Sequence, residues 1–283
     1  VMYQKIGYLA EQLRLFYISD RTDQKFPYHY HDFDKITLFF QGDVQYEIEG
    51  KTYSLQPYDI VLVQAGQLHR PIVHNTANYE RIIAYLSPMF FEVYRKQGCD
   101  LSCIFSEARS HVLRQPQEVS NIYGISCRIR QAFNEKKEDS PILQQTLFLE
   151  FMLFLARDVR EHHIGYVKTG NQNGKIQTII EYINTHLTND LSIPDIASLF
   201  YISPDYLMHL FKNETGYSLA NYITTKRLLL ARNLIQQGFP LTTVCYDSGF
   251  RNYSTFYRAW KNLFRTSPRQ GTTGDIGKPK IVD

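Results

Sequence analysis

The sequence has no disulfide framework. Its four cysteines (Cys99, Cys103, Cys127 and Cys245) stand at irregular spacings in 283 residues. Free thiols of this kind indicate a reducing setting, the cytoplasm. Cys99 and Cys103 can share a helix face, but no partner ligands lie near them in sequence, so they read as plain thiols. No apolar run is long and uncharged enough to cross a bilayer, which argues against a membrane partner. The N-terminal segment lacks the basic, apolar and small-residue order of a secretory signal. Neither sign of charge is in large excess, with 31 basic against 28 acidic residues and a net charge of +3. Net charge is therefore weak evidence for nucleic acid.

What is present is an ordinary globular composition, 43 % hydrophobic and 21 % charged, in a chain long enough for two cores. Most of the 21 Tyr and 18 Phe lie before residue 165. Basic residues gather at the other end: from residue 171 onward there are 12 Lys and Arg against 8 Asp and Glu. Between Asp247 and Arg269 the ratio is five to one, a modest basic patch.

Residues 192–268 carry one pattern twice. Ile193, Ile196, Ala197 and Ile202 match Leu241, Val244, Cys245 and Phe250 at a constant offset of 48. After one added residue, Leu207, Phe211, Lys212 and Asn213 match Phe256, Trp260, Lys261 and Asn262. Such self-similarity indicates two copies of a helix-turn-helix unit. Ser192 and Asp195 have the spacing of an N-cap followed by a carboxylate, starting a scaffold helix over 193–200. Ser203 caps the next helix with Pro204 at its first position, and Gly216 closes it. Residues 219–236 then read as one helix of about 27 Å. That is close to the ~34 Å between successive major-groove faces of B-DNA.

In this geometry the second helix of each unit enters the major groove with its N-terminal half toward the bases. The exposed positions there are Asp205, Tyr206, Met208 and His209 in the first copy, and Tyr253, Ser254, Tyr257 and Arg258 in the second. Arg258 is the strongest base-reading candidate, because a guanidinium fork grips two acceptors. Ser203, Lys212, Arg251, Lys261 and Arg265 suit phosphates, which fix position without reading sequence.

Upstream, residues 25–87 read as β-structure, with short strands at 36–40, 44–48, 52–55, 59–63 and 81–86 between turn signals. Val44, Tyr46 and Ile48 alternate with polar neighbours, the period of a half-buried strand. Many short strands favour a sandwich or barrel. Helices are expected at 88–98, 119–136 and 141–161, the last apolar around most of its circumference and in need of cover from the barrel or a second subunit. Residues 163–174 lose periodicity and read as a linker. A helix follows at 175–187.

Residues 175–270 resemble the DNA-binding domain of the AraC/XylS family of bacterial transcription regulators. The resemblance rests on 203–216, on Lys226-Arg-Leu-Leu-Leu-Ala-Arg232, and on Ser248-Gly-Phe through Lys261 with Thr266-Ser-Pro268. Two departures stand out. Tyr201 fills the first turn where the family favours a small residue, implying backbone strain there. Met208 and His209 are less polar than the usual Gln/Arg pair. His29-Tyr-His31 and Gln64-Ala-Gly-Gln-Leu-His69 are similar to the two histidine motifs of cupin barrels. Metal-binding cupins add a glutamate four or five residues after the second histidine; those positions hold Lys35 and Ile36, which removes the anionic ligand, so no metal and no cofactor are expected, although three imidazoles alone can bind Zn or Cu.

The expectation is an α+β chain of two domains. A cupin-like β-barrel with trailing helices spans 1–162 and serves effector binding and dimerisation. A linker covers 163–174, an all-α double helix-turn-helix domain 175–270, and a disordered tail 271–283. The resemblance implies a sequence-specific regulator, not an enzyme. Its partners would be double-stranded DNA, a second copy of the chain, RNA polymerase and a small polar effector such as a sugar. The effector would lie among Tyr28, His29, His31, Lys35, Tyr46, His69 and Arg81. The alternatives are a metal-dependent cupin enzyme with an accessory DNA-binding domain, and a constitutive regulator whose barrel only dimerises.

Overall fold

The computed structural model describes residues 12–21, 26–31, 33–74, 78–106, 110–114, 120–135, 139–167, 174–264 and 266–271. The chain divides into two compact units, one of Leu9–Gln172 and one holding Asn173–Asp283.

The first unit is a β-sandwich. Strands β1 (Leu13–Arg21), β2 (Asp34–Gln41), β5 (Ile60–Val63), β7 (Asn78–Leu86), β8 (Val112–Arg114) and β9 (Gly165–Tyr166) form a six-stranded sheet in the order β1-β7-β2-β5-β8-β9. Strands β3 (Val44–Ile48), β4 (Lys51–Ser54) and β6 (His69–Val73) form a second sheet in the order β4-β3-β6. All of these pairings are antiparallel. The expected alternation on β3 is present: Val44, Tyr46 and Ile48 are buried while Gln45 and Glu47 are half-exposed. Sequence reading passed over β1 and β6, and over the two- and three-residue strands β9 and β8, which are too short to show a period.

Each side of the large sheet has its own core. Ile36, Leu38, Phe40, Ile60, Leu62, Ile82, Ala84 and Leu86 pack with residues of helices α1 (Pro88–Arg95), α2 (Cys103–Ser106), α3 (Asn121–Asn134) and α4 (Ser140–Arg160). Between the sheets, Phe39, Val61, Val63 and Tyr79 meet Val44, Tyr46, Ile48 and Tyr53. On β7 the helices cover Ile82, Ala84 and Leu86, while Tyr79 faces the second sheet and Ile83 and Tyr85 pack with Phe33, Phe16 and Ile18, and every residue after the first is buried. Helix α4 sinks Leu147, Phe148, Phe151, Met152, Leu155, Ala156 and Val159 into the core. Its Ile142, Leu143 and Leu153 remain exposed, so the barrel covers only part of this broadly apolar helix.

One boundary needs correction. The expected linker at 163–174 begins too early, since Ile164 and Val167 are buried and β9 pairs with β8. Gly165 suggested flexibility, but its role is close approach: a Cβ there would lie 2.7 Å from the Arg114 carbonyl oxygen. Residues 168–173 and 272–283, assigned to linker and tail, lie outside the described residues.

The second unit is all helical: α5 (Lys175–Thr185), α6 (Ile193–Leu199), α7 (Pro204–Thr215), α8 (Leu219–Gln236), α9 (Leu241–Asp247), α10 (Tyr253–Phe264) and α11 (Pro268–Gly271). The start signals act as the sequence predicts. Ser192 accepts from the Asp195 amide and Ser203 from the Tyr206 amide; Ser218, not singled out in the sequence, caps α8 in the same way by accepting from the Asn221 amide. Gly216 ends α7 in the left-handed region at φ 79°. Leu228, Ala231 and Ile235 of α8 share a core with Val244, Cys245, Phe250, Phe256, Trp260 and Phe264.

Candidate nucleic-acid interface and effector site

Pairs α6–α7 and α9–α10 form the two helix-turn-helix units, joined by the 18-residue helix α8. On α7, burial of Leu207 and Phe211 turns Asp205, Tyr206, Met208 and His209 to the exterior, with Ser203 and Lys212 exposed beside them. On α10, burial of Phe256, Trp260 and Phe264 leaves Ser254, Tyr257, Arg258 and Lys261 exposed. Tyr253 is half-buried and packs against Phe256, which limits it to an edge contact. Among the described residues Arg258 donates from Nε to the Ser254 carbonyl at 3.4 Å, and its exposed side chain presents the fork to the exterior. Arg251 differs from expectation by pairing with Asp190, which offsets its charge toward a phosphate. Arg265 lies outside the described residues.

The two turns are built differently. Tyr201 sits at φ 53° with 94 % of its surface exposed, the strained position expected of it. Its counterpart Gly249 sits at φ 89°, where an added Cβ would meet the Leu187 carbonyl oxygen and Arg227 Nε, both at 2.8 Å. Arg227 of α8 reaches the same loop, donating from Nε to the Leu187 carbonyl at 2.9 Å and from Nη2 to the Asn189 carbonyl at 2.7 Å. Arg227 thus bonds the connecting helix to the loop after α5, and the second turn packs closely against both. Sequence reading did not single out Arg227, since nothing in its spacing separates a carbonyl-binding arginine from a phosphate-binding one.

In the β unit, five of the seven effector candidates come together. A bridge of two backbone hydrogen bonds joins His29 to His69, N to O at 3.0 and 2.9 Å. The rings of His29, His31 and His69 lie 4.4–5.1 Å apart, centre to centre. Lys35, only 2 % exposed, donates to the Tyr46 hydroxyl at 2.9 Å and lies 3.4 Å from His69 Nε2. Burial and then the Lys35 charge hold His31 and His69 well below the usual imidazole range, so both rings are neutral near pH 7. His31 Nε2 is buried without a hydrogen-bond partner. The other two candidates are engaged elsewhere. Tyr28 donates to Glu47 at 2.5 Å beneath the Arg70 guanidinium, and Arg81 binds Asp20 and the Tyr79 carbonyl.

Two family models match this arrangement: a helix-turn-helix domain over residues 196–272 and an AraC-like ligand binding domain over residues 13–152. The chain belongs to the AraC family. It is a DNA-binding transcription regulator with an N-terminal ligand-binding domain. "Probable transcriptional regulator LumQ" of Photobacterium leiognathi is 25 % identical over 88 % of this chain and 93 % of its own length. "HTH-type transcriptional activator RhaS" of Shigella sonnei is 22 % identical over 89 % of each chain. Among solved structures, an apo ToxT variant from Vibrio cholerae spans 93 % of this chain and 97 % of its own at 14 % identity and a TM-score of 0.39.

For an AraC-family ligand-binding domain the described cavities are unexpectedly placed. One of about 320 Å³ is lined by Tyr58, Cys127, Arg130, Gln131, Asn134 and Glu135, where α3 meets the sheet. Another of about 110 Å³ is lined by Lys51, Tyr53, Leu62, Gln64, Phe105, Ser110 and His111. Neither is lined by any of the seven candidates. No helix of the described residues is long and apolar enough to cross a membrane.

Proposed function

We propose that this regulator binds two adjacent major-groove segments as a homodimer and answers to a small polar effector at the His31, Lys35, Tyr46 and His69 cluster. It acts by repositioning its DNA-binding units and contacting RNA polymerase, not by catalysis. The observation that carries the DNA reading is the pair of exposed helices α7 and α10 on one bonded scaffold. Arg258 and Lys261 make α10 the stronger electrostatic anchor, while Tyr206, Met208 and His209 give α7 a contact of shape and apolar surface. The exposed Ile142, Leu143 and Leu153 of α4 support a contact between copies. A bound effector shifts the dimer between arrangements only by its differential affinity for them.

Gel-shift titration against the gene's own upstream region tests the reading, with salt-sensitive binding expected. Absence of binding to every fragment would reject it. Arg258→Ala is expected to weaken specific binding by ~1–3 kcal/mol, and an unchanged affinity would remove Arg258 from the base-reading set.

A further inference from the structure

The ring cluster in the barrel identifies a class of effector, an inference that rests on the sensor reading above. We propose that His29, His31 and His69 bind a divalent transition-metal ion of the zinc, copper and nickel class, and that this ion is an effector of the regulator.

Three observations point to an ion. Each histidine offers one ligand nitrogen, and these atoms lie within 4.8 Å of one another. Tetrahedral coordination with bonds of about 2.0–2.1 Å sets nitrogens about 3.4 Å apart, a gap that small ring rotations close. The second observation is tautomeric. His29 Nδ1 lies 3.0 Å from the Pro27 carbonyl and His69 Nδ1 lies 2.9 Å from the Gln67 carbonyl. A carbonyl only accepts, so each Nδ1 carries the proton and each Nε2 keeps its lone pair. Backbone acceptors fix metal-binding histidines in this same way. The third is the buried, unpartnered Nε2 of His31, whose desolvation an ion would relieve.

The donor set selects the ion. Three neutral imidazoles without a carboxylate disfavour magnesium and calcium and suit borderline transition metals. Lys35 stands 3.4 Å from His69 Nε2, and its positive charge competes with the ion for the same lone pairs. An occupied site ties the His29–His31 segment to β6 more firmly than the backbone bridge alone, which is how occupancy would reach the rest of the barrel.

The test uses tag-free, metal-free full-length protein titrated with Co²⁺ and then Zn²⁺. One equivalent of Co²⁺ should develop visible d–d absorption that Zn²⁺ abolishes. His29→Ala, at a half-exposed position that spares the fold, should weaken binding by more than about tenfold. Lys35→Met should tighten it. Circular dichroism verifies that both variants fold. A parallel gel shift compares the metal-free and Zn²⁺-loaded protein and should show different DNA affinities. No stoichiometric metal on either wild type or K35M, or equal binding by H29A, overturns the site. Metal bound with no change in DNA affinity overturns its role as effector. DNA binding that persists without a metal site leaves the regulator reading intact, whereas a protein that binds metal but binds no DNA in either its metal-free or its Zn²⁺-loaded form refutes that reading alone.

Discussion

Tyr201 and Gly249 occupy equivalent places in the two turns, and their surroundings decide what each side chain does. Tyr201 points into solvent, so its left-handed backbone is the main penalty. Gly249 faces backbone at 2.8 Å, so Gly249→Ala adds a clash to the strain. That variant is expected to lose about 1–3 kcal/mol in urea unfolding, whereas Tyr201→Gly should gain up to about 1 kcal/mol. Equal effects at the two positions would contradict this asymmetry. The buried histidines make a second residue-scale prediction. His31 and His69 hold folded-state values below the ordinary 6.5. Their contribution is therefore present above pH 6.5 and is lost as pH falls further, because the unfolded state then binds protons that the folded state does not. Asp34, pushed up to about 6 by burial, acts oppositely: its contribution is present at low pH and lost as pH rises toward 6. In an Asp34→Asn background, thermal midpoints should therefore drop between pH 7 and 5.5, and His31→Asn should flatten that drop. A slope unaffected by H31N would remove His31 from the account.

At the scale of elements, the legible features were those with local chemistry. N-cap serines, Gly216 and the bounds of α8 follow from single residues and a 3.6-residue period, so reading them needed no knowledge of neighbours. Strands β8 and β9 did not, because five residues of pairing carry no period and Gly165 serves contact with Arg114 instead of freedom. Exposure of the α7 and α10 readers was legible from their buried partners. The Arg251–Asp190 pair and the Arg227 junction were not, since both depend on loops that fold back over sixty-one and about forty residues. The histidine motifs were visible, but only the packing of the two sheets shows that Lys35 and Tyr46 share their space while Arg81 and Tyr28 do not. Arg227 yields the prediction proper to this scale. Arg227→Ala should loosen the second unit against the first, reducing affinity for a full operator while leaving affinity for DNA that engages only α10 nearly unchanged. Gel shifts on full and half sites separate these; equal losses on both would show that Arg227 acts through overall stability.

For the whole molecule, the exposed apolar residues of α4 and the two DNA-reading helices are among the surfaces that the described residues leave uncovered. Leu153→Glu on that face of α4 should convert the proposed dimer to a monomer in sedimentation velocity without unfolding it, since the residue is already exposed. An unchanged oligomeric state would place the dimer contact elsewhere. The central claim concerns DNA, and the most direct measurement is hydroxyl-radical footprinting of the full chain on the gene's upstream region. The account predicts, for each copy of the chain, two protected segments about one helical turn apart on one face of the duplex, with Arg258→Ala erasing the segment under α10 first. A single protected segment per copy, or protection that survives R258A in both, would contradict it.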